Sequence, residues 1–325
     1  MGNVNKIILS SDIGKFDTKM IGRNLKNDKV KEICFRTKMY ELAKGDVDSI
    51  EGNSYKVIFE NNEYIVGEQG SDKSSDTSKT NFLHKLCAYT SITQFIEPNT
   101  KNDIYMVLAC PLSVLQIQSA KEEYKEFIKS NKEINIEVNG KQYSFIIKEV
   151  MIKAEGSGIL YLNKDMFIDK DVAVVDLGGL NMGFSFYRNG VCKKEDRFIE
   201  ELGVNNLVAK VREQLMILKG GNLITTEQAE KALNKGYLPK HGDIDSESID
   251  KIKTAKAEYF DAILKAIREH GYKIEDMDKV VFVGGTSQKI LDNISAIKHS
   301  YVPNSSNMTT VEGLYKIAFG KWGQQ

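Results

Sequence analysis

Apolar and polar positions along this chain switch between two periods, one near 2 and one near 3.6, and the switches mark out its elements. Residues 6–11 run almost unbroken in apolar and small side chains and predict a buried strand, with a turn over 12–18. Residues 30–36 alternate loosely and predict another strand. Residues 55–60 and 63–67 flank Asn61-Asn62 and predict a hairpin, because asparagine tolerates the positive φ of a tight turn. Residues 71–79 are small and polar and predict a mobile loop. Phe82, Leu83, Leu86, Cys87, Tyr89, Thr90 and Ile92 then fall on one stripe, so 80–96 predict a helix. Residues 103–110 predict a central strand ended by Pro111, and 113–130 a helix rich in charge. Asn139-Gly140 between two alternating runs is the strongest hairpin signal in the chain; 148–152 prolong its second strand, and 154–162 read as a helix start.

A second round begins at Asp171. Val172-Ala-Val-Val predicts a buried strand, and 184–187 with Val191-Cys192 a hairpin about Arg188-Asn189-Gly190. Leu202-Gly203-Val204-Asn205-Asn206 leads into a helix through Leu218. Thr225 and Thr226 open a shorter helix to about 233. Residues 246–270 predict a long amphipathic helix with Ile249, Ile252, Ala255, Tyr259, Ile263 and Ile267 on one side and Gly271 as its stop. Residues 280–283 form the next buried strand and 311–319 a closing helix. The order of strand, hairpins, helix, strand and helix thus runs twice, which predicts two duplicated α/β halves.

Composition narrows the possible functions. The 325 residues suffice for roughly two domains, and 41% hydrophobic content supports sizeable cores. Lys plus Arg balances Asp plus Glu at 45 each, so no global field draws in DNA or an anionic membrane. No apolar stretch approaches the roughly 20 residues that span a bilayer. The N-terminus runs straight into the first strand without the apolar region of a signal peptide. Cys34, Cys87, Cys110 and Cys192 are scattered, without metal or redox spacing, and read as small buried thiols in a reducing cytoplasm. His84, His241, His270 and His299 are far apart and read as surface or helix residues rather than metal ligands.

The candidate chemistry lies at three glycine-bearing strand exits. In Asp12-Ile-Gly14-Lys15-Phe16-Asp17-Thr18-Lys19, glycine lets backbone approach a ligand, and successive N–H groups form an anion-binding concavity. Thr18 offers a hydroxyl and Lys15 or Lys19 a positive charge for phosphate oxygens. Asp12 would repel a phosphate unless a divalent cation lay between them, a conflict that magnesium held through water resolves. Asp176-Leu-Gly178-Gly179-Leu-Asn181 repeats the acid-before-glycine arrangement, and Gly284-Gly285-Thr286 ends a third strand where bare backbone could meet a flat ligand. Each segment alone is also an ordinary turn; the repetition favours phosphate binding. Gly-x-x-x-x-Gly-Lys-Ser/Thr, Gly-x-Gly-x-x-Gly after the first strand and His-Glu-x-x-His are all missing from the sequence.

Together these segments resemble the actin-like ATPase superfamily over nearly the whole chain, with Asp12–Lys19 similar to its first phosphate loop, Asp176–Asn181 to its second and Gly284–Thr286 to its adenosine loop. The stretches Tyr64-Ile-Val-Gly67-Glu68, Lys79-Thr80-Asn-Phe-Leu-His84-Lys85-Leu86 and Ala109-Cys110-Pro111-Leu112-Ser113 are similar to the ParM group of plasmid-segregating actins. The resemblance implies an actin-like, ribonuclease H-like duplicated α/β fold with a nucleotide cleft between the halves. Its domain I would be 1–165 plus 303–325, with 30–100 as a smaller subdomain, and its domain II 166–302. It implies a cytoplasmic ATPase, with ATP or GTP and Mg2+ as ligands, that polymerises into filaments and moves plasmid DNA through a small DNA-binding adaptor, with neither direct sequence-specific DNA binding nor a membrane contact. Asp12 and Asp176 would hold the metal through water. Glu155, just ahead of the second loop, would activate the attacking water, although a glutamate there is equally placed to satisfy a helix dipole. Asn206 and Lys210, at the start of the helix after Gly203, lie where that fold meets ribose and adenine. A small-molecule kinase of the same fold, or a non-motile actin-like scaffold, would share these loops.

Overall fold

The computed structural model describes residues 4–27, 29–45, 49–73 and 79–323, so most of the expected polar loop, 74–78, lies outside the described residues. The chain divides into two compact units, Met1–Asn163 with Met308–Gln325, and Lys164–Asn307.

The first unit is built on β1 (Asn5–Ile13), β2 (Asp17–Asn24), β3 (Lys31–Arg36), β4 (Met39–Glu41), β5 (Ser54–Phe59) and β6 (Asn62–Gly67), followed by α1 (Phe82–Thr93). It continues with β7 (Asn102–Cys110), α2 (Leu112–Leu115), α3 (Gln118–Lys129), β8 (Ile134–Val138), β9 (Lys141–Ala154) and α4 (Gly158–Leu162). Among the described residues the strands join in the order β3-β2-β1-β7-β9-β8-β5-β6-β4. At the centre β1, β7 and β9 are parallel, with Ile7 beside Ile104 and Ile104 beside Ile147. Parallel central strands are covered on both faces, which explains the unbroken apolar runs. Ile7 and Leu9 pack toward α1 and α3, while Ile8 packs with Val107, Ala109, Leu314, Ala318 and Trp322 of the C-terminal helix Thr309–Trp322. Trp322 is buried, and its indole N–H donates to Glu149 Oε2 at 3.1 Å, so it serves as an anchor for a docked helix.

Both hairpins expected in this unit form. Asn139 and Gly140 have φ of 50° and 74°, the geometry of a two-residue primed turn. The other turn falls on Glu60 and Asn61, because Asn62 pairs with Phe59 and leaves the positive φ to its two predecessors. Three expectations need correction. The first turn is shorter than 12–18: β1 runs to Ile13 and β2 starts at Asp17, so Asp12 and Thr18 are strand residues. The helix expected over 113–130 is two helices, because the chain becomes extended at Ile117. Of the cysteines only Cys87 and Cys110 are buried; Cys34 is exposed on the edge strand β3, and Cys192 is half-buried.

The second unit contains β10 (Asp171–Leu177), β11 (Met182–Arg188), β12 (Arg197–Glu200), α5 (Val204–Leu218), α6 (Thr226–Lys235), β13 (Leu238–Lys240) and β14 (Asp243–Asp245). The long α7 (Ser246–Glu269), β15 (Lys279–Val283), α8 (Leu291–Ser295) and β16 (Ser300–Tyr301) complete it. Its main sheet runs β12-β11-β10-β15-β16, with β10 and β15 parallel at the centre. Val172 to Val175 and Val280 to Val283 are buried, and α7 presents Ile252, Ala255, Tyr259, Ile263 and Ile267 to the core. Thr225 and Gln228 cap α6 reciprocally, which explains the sharp helix start at that pair of threonines. The partner of 184–187 also needs correction. These residues pair with β10 and β12, and the expected Val191-Cys192 arm contributes a single bridge from Val191 to Arg188.

Candidate functional site

Ligands of open α/β sheets collect at the carboxyl ends of parallel strands, where side chains and free backbone groups emerge from a rigid base. In the first unit these ends carry Asp12, Cys110 and Glu155. In the second they carry Asp176 and Gly284. Every acid expected at the site therefore lies at a parallel strand's exit or directly after one.

The two acid-glycine segments form the same hairpin. The Gly14 N–H donates to Asp17 O at 2.9 Å, and the Gly178 N–H donates to Asn181 O at 3.0 Å. Asp12 stands opposite Lys19 in register, and Asp176 stands opposite Gly183. Glycine at 14 is a packing requirement, since a Cβ there would lie 2.6 Å from Asp17 O. The match extends to the parallel neighbours, β7 beside β1 and β15 beside β10.

Around the first hairpin the side chains are strongly charged. Asp12 Oδ2 lies 3.9 Å from Lys19 Nζ, and both side chains are 13% exposed. Asp12 Oδ1 is buried and has no hydrogen-bond partner among the described residues. An orphaned carboxylate oxygen at a strand exit fits a cation bound through water. No group of three His, Cys, Asp or Glu residues able to hold a metal occurs among the described residues, and a single carboxylate suits magnesium, which keeps most of its waters. Lys15 is half-buried at the turn. Thr18 takes a different role from the one expected of it: it is fully buried and its hydroxyl lies 2.9 Å from that of Thr37, bracing the hairpin from inside the sheet. The side chain at a strand position alternates in or out, and Thr18 falls on the inward phase.

Glu155 follows β9 in a turn ahead of α4, so it is not the helix-terminal glutamate that its sequence context also allowed. Its N–H donates to Cys110 O at 2.9 Å, fixing it beside the end of β7. Its Oε1 is buried, 3.0 Å from the ammonium of Lys79. The Glu155 side chain keeps 29% of its surface exposed and Lys79 only 3%. Burial pushes the Glu155 carboxyl above its usual range, against the opposing pull of Lys79; Asp12 raises it further. Burial alone would lower the Lys79 ammonium, but Glu155 and Asp12 reverse that and raise it, so the ammonium stays charged. A carboxylate with a raised pKa and one open side suits general-base work.

The second hairpin is framed mainly by backbone. The hydroxyl of Thr286 donates to Gly178 O at 3.1 Å, and its N–H donates to Leu177 O at 3.3 Å. Thr286 is buried, so it clamps the turn of β10 to the end of β15. Gly284 has φ of 86°, and a Cβ there would lie 2.4 Å from Leu177 O and 2.6 Å from Asp176 Oδ1, so only glycine fits. Gly285 follows with exposed backbone, and Gly178, Gly179 and Asn181 are half-buried. The Gly203 N–H donates to Leu180 O, and the Val204 N–H donates to Gly178 O at 3.0 Å, which seats the start of α5 on the same turn. Asn206 and Lys210 are one turn apart on α5, both half-buried. The structure thus gathers Asp176, Gly178, Gly179, Asn181, Gly284 and Thr286 at one end of the second unit, with α5 beginning beside them.

Sequence reasoning assigned no chemistry to Lys79. A lysine after a polar stretch reads as solvent-facing, and the one local signal was Asn81 two residues later, which caps α1 and so fixes where the preceding chain must lie.

Comparison with known proteins agrees with this architecture. The family model for the N-terminal domain of actin-like proteins matches residues 10–158. No curated protein matches at a significant level. The structure solved as the Alp12 filament is 49% identical, covers 99% of this chain and 100% of its own, and superposes with a TM-score of 0.72. A 15-stranded ParM filament from Clostridium botulinum is 18% identical over 98% of this chain and 100% of its own, with a TM-score of 0.74. An archaeal actin homologue in complex with ADP is 16% identical over 97% and 99%, with a TM-score of 0.72. With twin acid-glycine hairpins on duplicated parallel sheets, and close to half of its residues shared along the full length of Alp12, this chain belongs to the actin-like proteins, in the family of Alp12.

Proposed function

We propose that this protein is a nucleotide-hydrolysing actin-like protein that assembles into dynamic filaments and segregates plasmid DNA. The observation that carries the reading is its whole-length similarity, at 49% identity, to a protein solved as a filament. The nucleotide is supported by the repeated acid-glycine hairpin and by an archaeal homologue of the same fold that holds ADP. ATP or GTP would bind with magnesium. Backbone N–H groups of the Gly14 and Gly178 turns, with Lys15 and Lys19, would meet phosphate oxygens. Asp12 and Asp176 would face the magnesium through water, and the ion would offset the charge gathering on the phosphates. Asn206, Lys210, Gly284 and Gly285 would border the nucleoside, with Thr286 holding their frame.

Glu155 would serve as the base. Its exposed side would accept a proton from the water that attacks the γ-phosphorus, while the bond from that phosphorus to the diphosphate oxygen breaks. Hydrolysis would weaken contacts between subunits. A small DNA-binding adaptor would join the filament to the plasmid, since the balanced charge of this chain offers no general attraction to DNA. No described helix is long and apolar enough to cross a membrane.

Sedimentation with ATP or GTP and magnesium tests the assembly, and phosphate release tests the turnover. Polymer that pellets only with nucleotide, and then disperses as phosphate is released, is expected. A chain that neither pellets nor releases phosphate with either nucleotide overturns the reading.

A further inference from the structure

Lys79 is the most deeply buried cation beside the candidate site, and its surroundings are specific. Its ammonium lies 3.0 Å from Glu155 Oε1 and donates to the carbonyl of Ile13, the last residue of β1. One side chain thus joins the exit of β1, the chain ahead of α1 and the turn after β9. Burying an ammonium is unfavourable unless it is paired and hydrogen-bonded, so a lysine 3% exposed is held there by these two partners. The position is also set from behind. Asn81 caps α1 by accepting from the His84 N–H at 3.0 Å, and its Oδ1 lies 2.8 Å from His84 Nδ1. Burial, with Lys79 and Lys15 nearby, pulls His84 down to about 2, so the imidazole itself adds no positive charge beside Lys79.

We propose that Lys79 is a positioning residue for Glu155: its ammonium ties the inner carboxylate oxygen to the exit of β1, so that the outer oxygen is aimed at the water beside the Gly14 turn. This rests on the reading of Glu155 as the base of nucleotide hydrolysis. The division of the carboxylate is what the geometry shows, with Oε1 buried against Lys79 while 29% of the side chain stays open. A base must meet its water at hydrogen-bond distance, and a carboxylate left to rotate freely spends little time there. Asp12 and Lys19 on the first hairpin and Cys110 at the end of β7 are the other titratable groups that act on this pair. The ammonium paired with the inner carboxylate oxygen is that of Lys79, and it supplies the tether.

The test uses the full-length protein and four variants: Lys79→Met, Lys79→Arg, Glu155→Gln and the double variant of Lys79→Met with Glu155→Gln. Nucleotide affinity is read by equilibrium binding of ATP and turnover by phosphate release, with circular dichroism to verify the fold. Lys79→Met is expected to lower kcat about 100-fold while the ATP Kd changes less than about threefold. Lys79→Arg, which keeps the charge, is expected to recover part of the rate. The double variant, which strands neither charge, is expected to be no slower than Glu155→Gln alone, because the two residues act as a unit. A folded Lys79→Met protein with wild-type kcat overturns the proposal, as does a double variant whose losses simply multiply. If Lys79→Met does not fold, the comparison of the double variant with Glu155→Gln decides alone. Failure of the parent reading looks different: the unaltered protein itself releases no phosphate.

Discussion

The Asp12 hairpin and the Asp176 hairpin have one backbone and two chemistries. In each, a glycine two residues after the acid closes the turn onto the third residue beyond it, at 2.9 and 3.0 Å. In each, the acid pairs with the residue seven positions later. Yet the partner is Lys19 in the first and Gly183 in the second. The first turn is surrounded by Lys15, Lys19, Lys79 and Glu155, whereas the second is held by Thr286, Gly284 and the start of α5. Duplication accounts for the shared geometry. The difference shows where side-chain chemistry has concentrated: the first unit carries the charges suited to proton transfer and phosphate neutralisation, and the second carries a rigid backbone frame.

That contrast can be broken most forcefully at Glu155. Glu155→Gln keeps the shape and removes the proposed base, so phosphate release is expected to fall by about 10²–10⁴-fold while ATP binding persists. An equal loss from a comparable neutral change near the second turn, such as Asn181→Ala, would show that the chemistry is not confined to the first unit. Gly284→Ala tests the frame. The residue must leave φ of 86° or collide with Leu177 O and Asp176 Oδ1, and a loss of about 2–3 kcal/mol is expected in denaturant unfolding.

His84 gives the first unit a pH response with a defined direction. In the folded chain its pKa is lowered from 6.5 to about 2, so it stays neutral, while the unfolded chain takes up a proton below pH 6.5. Stability therefore declines as pH drops below that value, by about 2 kcal/mol at pH 5 from this residue. Unfolding curves at pH 7 and pH 5 should converge when His84→Gln is compared with the parent chain. A pH dependence unchanged by the substitution would assign the effect elsewhere. Smallest of all, Thr286→Val and Thr18→Val each remove one hydroxyl bond that braces a hairpin. Each is expected to lower stability by about 1 kcal/mol, and a kinetic effect from Thr18→Val larger than that from Thr286→Val would sharpen the division between the units.

Much of this architecture was legible in the residue pattern. The buried strands at 6–11, 103–110, 172–175 and 280–283 announced themselves because parallel strands covered on both faces have no polar phase. Asn139-Gly140 marked its turn because few residues accept two positive φ angles in succession. β2 was harder to see. Asp17-Thr-Lys-Met-Ile-Gly mixes polar and apolar residues, and its strand character comes from pairing with β1 and β3 rather than from local preference. Lys79 and Thr18 were misjudged for a related reason: lysine is usually solvated and threonine at a turn is usually open, and only the packing around them turned both inward.

By itself, then, the sequence determined the doubled α/β order, the acid-glycine strand exits and the resemblance that led to the actin-like family. These depend on local periodicity and on residue types with few conformational options. The tertiary structure decided which of the neighbouring groups work together. It brought Glu155 to Lys79, Lys79 to Ile13, and Thr286 to Gly178, over 76, 66 and 108 positions of chain. Contacts of that span come from sheet order and helix docking, and a buried ion pair is stable only where the whole surrounding core excludes water and supplies its partners.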